Sequence, residues 1–223
     1  MHARDLLAFL SELTDNNQRA WFAMNQPRYE ILRGEFVQLV AQLITAIGTF
    51  DPAVAGCQAR KAVFRFHRDL RFARDKRPYK TTFSAAITAS GLKRPSQGGG
   101  PMYYLQINAL GKLMLAVGEF LPPPARLRQI RQHLVTDEAG FERLLHNRSL
   151  CNAYGSLRDK DRLVRVPKGF AADARHADYL RLKSFVVDQE LELMAITSEQ
   201  LVPTIARAYQ QAYPLVAWLR TAG

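Results

Sequence analysis

The sequence has few cysteines and no long apolar run. Its two cysteines, Cys57 and Cys151, lie far apart and match no metal-binding or redox spacing. They predict free thiols in a reducing compartment, so we expect a cytoplasmic protein. The longest apolar run, residues 113–120, is interrupted by Gly118 and Glu119, whereas a helix that crosses a bilayer needs about 20 apolar residues. The sequence therefore predicts no membrane contact.

Several catalytic and cofactor motifs are also missing. The five histidines have no spacing typical of metal ligands, and neither a GxSxG nor a GxxxxGK motif occurs. The glycines at 98–100 do not open a helix, so they do not predict a dinucleotide site. We therefore expect no metal and no cofactor. Candidates for proton transfer are His67, Asp69, Asp75 and Tyr79, but they form no recognisable set. No catalytic residue is assigned, and the sequence leaves open whether the protein is an enzyme.

Acidic residues are scarce relative to basic ones. The chain has 31 lysines and arginines against 20 aspartates and glutamates, which gives a net charge of +11. Such an excess favours acidic partners, namely phosphates, nucleic acid or anionic lipid. Residues 60–80, which we call the basic segment, hold nine Lys/Arg and two Asp and so carry +7 of this charge in 21 residues. This segment is therefore the first candidate for a binding site.

The spacing of apolar residues changes along the chain. In residues 1–50 they recur at helical spacing, and in residues 60–120 they favour strands. We place these strands at residues 61–68, 82–89, 102–108 and 112–120. The turn at 108–111 is short enough for a hairpin, and consecutive strands with short links indicate a mainly antiparallel sheet.

The last part of the chain, residues 125–223, predicts helices and one further strand at 184–188. Pro214 is expected to kink or split the final helix. Together these patterns predict a single α+β domain, with a mainly antiparallel sheet of about four to six strands packed by N- and C-terminal helices. The alternative is an N-terminal helical subdomain hinged near residues 48–56. The oligomeric state is not predicted.

The first predicted strand alternates in character. Ala62, Phe64 and Phe66 would lie on one face, with Arg65 and His67 on the other. A strand that buries aromatic residues on one side and holds cations on the other would be a rigid mount for binding anions.

Four blocks of the chain together resemble one protein family. The blocks are Phe9-Leu10 with Asn16-Asn17-x-Arg19-x-Trp21-Phe22, Arg65-x-x-Arg68-Asp69-x-Arg71-Phe72-x-x-Asp75-Lys76-x-Pro78-Tyr79-Lys80, Pro167-Lys168-Gly169-Phe170 and Leu182-Lys183-Ser184-Phe185. They are similar to domain-of-unknown-function family 2461, found in bacteria and some fungi, in order and over nearly the whole chain. The resemblance implies a single α+β domain that is soluble and intracellular, and it implies no activity.

Three interpretations of the basic segment remain open. In the first, Asp69 and Asp75 pair with neighbouring arginines and the segment is purely structural, although two carboxylates cannot neutralise nine cations. In the second, the segment binds a phosphorylated or other polyanionic small ligand. In the third, it follows the backbone of a nucleic acid. Against the third, Phe64 and Phe66 should point inward, which leaves few aromatic platforms for stacking bases.

We take the small anionic ligand as the working hypothesis, because arginine forks bind oxyanions bidentately. The residues expected to bind the anion are Arg65, Arg68, Arg71, Lys76, Tyr79, Lys80 and Lys168. Supporting roles are expected for His67, Asp69 and Asp75.

Overall fold

A computed structural model of the chain describes residues 1–71, 74–93 and 97–223. It is an α+β structure built on one open sheet of four antiparallel strands, which are neighbours in chain order. The strands are β1 (Thr82–Thr88), β2 (Met102–Asn108), β3 (Lys112–Glu119) and β4 (Phe185–Glu192). The predicted fold class is confirmed. Phe72 of the family-like central block lies outside the described residues.

The helices lie before and after the first three strands. In chain order they are α1 (Ala3–Asp15), α2 (Arg19–Gly48), α3 (Ala59–Ala62), α4 (Pro124–Thr136), α5 (Glu138–Leu145), α6 (Arg148–Tyr154), α7 (Ala177–Leu180) and α8 (Ser198–Arg220). The short helix α6 was not predicted. Helices α2 and α8 contact each other and one face of the sheet.

Alternation along β2 shows why the sheet has two different faces. Tyr103, Leu105 and Ile107 are fully buried, whereas Met102 and Tyr104 are half-buried. Successive side chains of a strand point to opposite faces, so the first set faces the helices. We call the helix-covered side the inner face and the side of Met102 and Tyr104 the outer face.

Helix α2 is long and apolar enough, by length and composition, to cross a membrane. It is the one helix of the described residues with this property. Its residues Leu32, Phe36, Val40, Leu43 and Ile47 are buried in the same hydrophobic cluster as the inner face of the sheet. Here α2 is therefore a core helix.

Residues 61–68 do not form the predicted strand. Helix α3 ends at Ala62, and the chain then makes only isolated bridges, Val63 with Ala85 and His67 with Tyr79. The reason is a change of hydrogen-bond partner. The amide of Phe64 donates to Ser84 in β1, but the carbonyl of Phe66 accepts from Lys80. No pairing continues long enough to make a ladder.

The predicted split of the final helix at Pro214 was also wrong. Helix α8 runs without interruption through Pro203 and Pro214 to Arg220. A proline removes one hydrogen bond from a helix interior. Burial of the adjoining Leu215 and Leu219 stabilises the helix on both sides of that loss.

A buried ion pair joins the end of α2 to the end of α8. Asp51 is 1% exposed and accepts two hydrogen bonds from the guanidinium of Arg220, at 2.6 and 2.8 Å. The hydroxyl of Tyr103 in β2 donates to the same carboxylate at 2.8 Å. Every oxygen of the buried carboxylate therefore has a partner, and three distant parts of the chain meet there.

Replacing Asp51 by alanine should lower the free energy of unfolding by about 3–5 kcal/mol, because it leaves the Arg220 charge half-buried and unpaired. Urea denaturation would measure the change. The control is Asp5→Ala, since the Arg28–Asp5 pair is at the surface and should contribute about 0–1 kcal/mol. Equal effects of the two substitutions would contradict this role for Asp51.

Candidate functional site

The basic segment is anchored to the junction of α1 and α2 through Asn17. The Asn17 side chain donates to the carbonyl of Tyr79 and accepts from its amide, each at 3.0 Å. The Tyr79 ring stacks on Phe22, with ring centres 4.0 Å apart, and Tyr79 is only 6% exposed. Tyr79 therefore belongs to the core. The sequence predicts that Tyr79 binds the anion, but its ring is buried and does not face a ligand.

Both aspartates of the segment pair with arginines. Asp69 accepts from the Nε and Nη2 atoms of Arg71 at 3.0 and 2.7 Å. These hydrogen bonds lower the pKa of Asp69 to about 2. Asp75 accepts from Arg77 at 2.9 Å and from Arg68 at 2.6 Å, and these bonds hold the pKa of Asp75 well below its usual value.

The remaining predicted ligands have three different environments. Lys76 donates to the carbonyl of Leu70 at 3.2 Å, so it too has a partner inside the segment. Lys168 is exposed, and among the described residues no hydrogen bond or ion pair joins it to the basic segment. Arg65 and Lys80 differ from these, since they lie close enough for the charge of Arg65 to lower the pKa of Lys80. Burial of the Lys80 ammonium is the larger cause of that shift.

Phe64 and Phe66 lie on opposite faces, not on the same face as predicted. Phe66 is 4% exposed and packs against the aromatic rings of Phe22 and Phe83 in the core. Phe64 is half-buried and packs against Tyr104 on the outer face, with ring centres 6.2 Å apart. The chain turns away from β1 between the two residues, so strict alternation does not hold. His67 is exposed beside Tyr79, at 5.0 Å between ring centres.

Phe64 and Tyr104 belong to an apolar cavity of about 300 Å³ on the outer face of the sheet. The residues that line this cavity are Phe64, Lys93, Met102, Tyr104, Met114, Ala116, Phe120, Arg158 and Val186. Its volume is at the lower end of the usual range for small-molecule sites, about 300–1,000 Å³. We call it the outer-face cavity.

Cations lie over the aromatic rings of this cavity. The ammonium nitrogens of Lys80 and Lys93 are 5.3 and 5.1 Å from the centre of the Phe64 ring. Lys93 is held there by hydrogen bonds to the carbonyls of Lys61 and Val63. The Arg158 guanidinium is 6.0 Å from the centre of Phe120. At such distances the ring faces attract a positive charge, which fixes each cation at the rim.

The phenol of Tyr104 supplies a polar group next to the cavity. Its hydroxyl donates to Oε1 of Gln106 at 2.9 Å. Burial raises the pKa of Tyr104, so the phenol stays protonated and is a hydrogen-bonding group, not an additional anion.

Strand β4 adds acidic residues to the outer face. The register places Asp188 beside Ala116, Glu190 beside Met114 and Glu192 beside Lys112. Lys112 pairs with both glutamates. Asp188 and Glu190 are therefore next to Ala116 and Met114 of the cavity lining, whereas the cations of the cavity are those held over Phe64 and Phe120.

Sequence reasoning missed the importance of Phe120 and Arg158. Alternation of Met102, Tyr104 and Gln106 could have placed Tyr104 on a face separate from Tyr103. No sequence pattern linked Arg158 to that face, because its amide reaches Val186 from an irregular segment 28 positions earlier in the chain.

The Asp69–Arg71 pair should be visible in a pH titration. The Asp69 carboxyl should titrate near its folded pKa of about 2, below its usual 3.8. Because the pKa is depressed, the pair's stabilisation is present above about pH 4 and is lost as the pH falls through about 2. Carbon-detected NMR of the aspartate carboxyls would measure this. Arg71→Gln should raise the Asp69 midpoint towards 3.8, whereas Arg77→Gln should leave it unchanged. A normal midpoint in the unmodified protein would contradict the pairing.

Comparison with known proteins identifies a family and nothing closer. No curated protein and no solved structure matches the chain. A family model described as "Conserved hypothetical protein (DUF2461)" matches residues 5–218, which is nearly the whole chain and includes the basic segment and all four strands. The protein therefore belongs to the DUF2461 family.

Proposed function

We propose that the protein binds a small organic anion with an apolar body in the outer-face cavity. The observation that carries the proposal is the combination of an apolar cavity with cations held over its aromatic residues. An apolar lining favours burial of a hydrocarbon or aryl group, and the cations at the rim favour a negative group attached to it.

The balance of charge supports an anionic ligand. Among the described residues, no carboxylate forms an ion pair with Arg65, Lys80 or Arg158. Arg65 and Lys80 repel each other, and the lowered pKa of Lys80 reflects this repulsion together with burial. An anion bound between these cations would relieve that repulsion.

The proposal narrows the role of the basic segment. Arg68, Arg71 and Lys76 already have partners within it, so internal pairing accounts for part of its charge. Arg65 and Lys80 remain as the members expected to attract the ligand. Lys168 and Tyr79 are left out of the proposed contacts.

The carboxylates of β4 favour a small ligand over a nucleic acid. A single strand lying along the outer face would meet Asp188, Glu190 and Glu192 in succession. Its phosphates would be repelled over that length, whereas a small anion has one charged group, which it can place near the cations over Phe64 and Phe120.

Calorimetric titration with four ligands tests the proposal: octanoate, octyl phosphate, octanol and inorganic phosphate. The two amphipathic anions should bind, and octanol and inorganic phosphate should bind at least about tenfold more weakly, because each lacks one of the two features. At 100 times its dissociation constant, a bound anion should stabilise the protein by about 2.7 kcal/mol, which is several degrees in melting temperature.

Two substitutions locate the binding. Ala116→Leu should abolish it by filling the cavity, and Lys80→Gln should weaken it about tenfold through loss of a charged contact. The matched control is Arg71→Gln, a cation of the same segment that pairs with Asp69 away from the cavity. If oligonucleotides or inorganic phosphate bind as tightly as octanoate and Ala116→Leu changes nothing, binding follows surface charge and the proposal is wrong.

A further inference from the structure

A small hollow adjoins the outer-face cavity. It measures about 20 Å³ and shares Lys93, Met102 and Phe120 with the cavity, so the two lie side by side. A space of about 10–15 Å³ holds one water molecule. The hollow therefore has room for one or two oxygen atoms and is too small for a bulky group.

Thr88 lines this hollow and has an unusual environment. It is the last residue of β1, is 2% exposed, and pairs with Met102 on the outer face. In the described part of the chain, nothing accepts from or donates to its hydroxyl. A buried hydroxyl without a partner costs about 1–3 kcal/mol, so such groups are uncommon unless a ligand or water completes them.

We propose that the ligand is a carboxylic acid, whose carboxylate enters the hollow and accepts a hydrogen bond from Thr88. This inference rests on the proposed function of the outer-face cavity, which would hold the apolar body of the same molecule. Lys93 lies at the wall shared by both spaces, so its positive charge offsets the desolvation of the carboxylate.

One acidic residue also lines the hollow, and its charge is already balanced. Glu119 is 3% exposed and accepts three hydrogen bonds from Arg126, the shortest at 2.6 Å. The carboxylate of a ligand would therefore meet a neutralised pair and not an unpaired negative charge.

The size of the hollow separates carboxylates from phosphates. A carboxylate is planar and can place one oxygen in a space of this size. A phosphate monoester could also insert one oxygen, but its tetrahedral group would then hold two further charged oxygens against Met102 and Phe120, the apolar side chains that line both spaces. Octyl phosphate should thus bind only with its head group at the open rim, without contact to Thr88.

The test compares octanoate and octyl phosphate on the wild-type protein and on Thr88→Val, a substitution of nearly equal shape. Octanoate should bind the wild type more tightly than octyl phosphate does. Thr88→Val should weaken octanoate by about 10- to 100-fold, the value of a hydrogen bond to a charged group, and should leave octyl phosphate unchanged.

The melting temperature of the ligand-free variant supplies a second readout. Because the hydroxyl has no partner in the described structure, Thr88→Val should melt at the same temperature as the wild type or higher. A clear fall would show that the hydroxyl has a structural partner, and would overturn the inference.

The outcomes distinguish this inference from the proposed function. Octanoate and octyl phosphate could instead bind equally well, with binding abolished by Ala116→Leu and unchanged by Thr88→Val. In that case the cavity binds anions but the hollow holds only water, and the inference is wrong. If neither octyl anion binds the wild type, the proposed function fails, and the carboxylate inference fails with it.

Discussion

The pair of hydrogen bonds between the Asn17 side chain and the backbone of Tyr79 fixes the path of the basic segment. Asn17 is 8% exposed, and the two residues are 62 positions apart in the chain. A buried amide that satisfies both the donor and the acceptor of one residue holds that residue in position and orientation. With Tyr79 held, the backbone of Lys80 pairs with Phe66, and the Phe66 ring enters the core. Phe64 is then left on the other side of the sheet.

This path divides the cations of the segment into two groups. Those that follow Arg65 in the loop, such as Arg68 and Arg71, find carboxylates or carbonyls close by in the chain. Lys80 lies over the Phe64 ring, and Arg65 is close enough for its charge to act on Lys80. The cations of the basic segment therefore do not form a single binding surface. Some of them stabilise a loop, and a smaller number contribute to the rim of the outer-face cavity.

The sequence predicts the sheet well and the site poorly, for different physical reasons. Strands β1, β2 and β3 follow from short apolar stretches between turn residues, with burial that alternates clearly in β2, and the hairpin at Gly111 follows from a residue that adopts a positive φ of 78°. These features are local. The outer-face cavity is not, because its walls come from six separated parts of the chain, at residues 64, 93, 102–104, 114–120, 158 and 186. Periodicity could not show that the backbone hydrogen-bond partner changes from Ser84 at Phe64 to Lys80 at Phe66, which leaves the two rings on opposite faces.

The cavity exists because the outer face carries small side chains where large ones would fill it. Ala116 lies beside Tyr104 in the register, and Gly118 lies between Met102 and Val186. Gly118 has a φ of 127°, and a β-carbon there would lie 2.0 Å from the carbonyl oxygen of Phe185. The close approach of β4 to β3 thus requires glycine at 118. Backbone packing between the two strands therefore determines the residue at 118, whereas the small side chain of Ala116, which lines the cavity, leaves the space for a ligand.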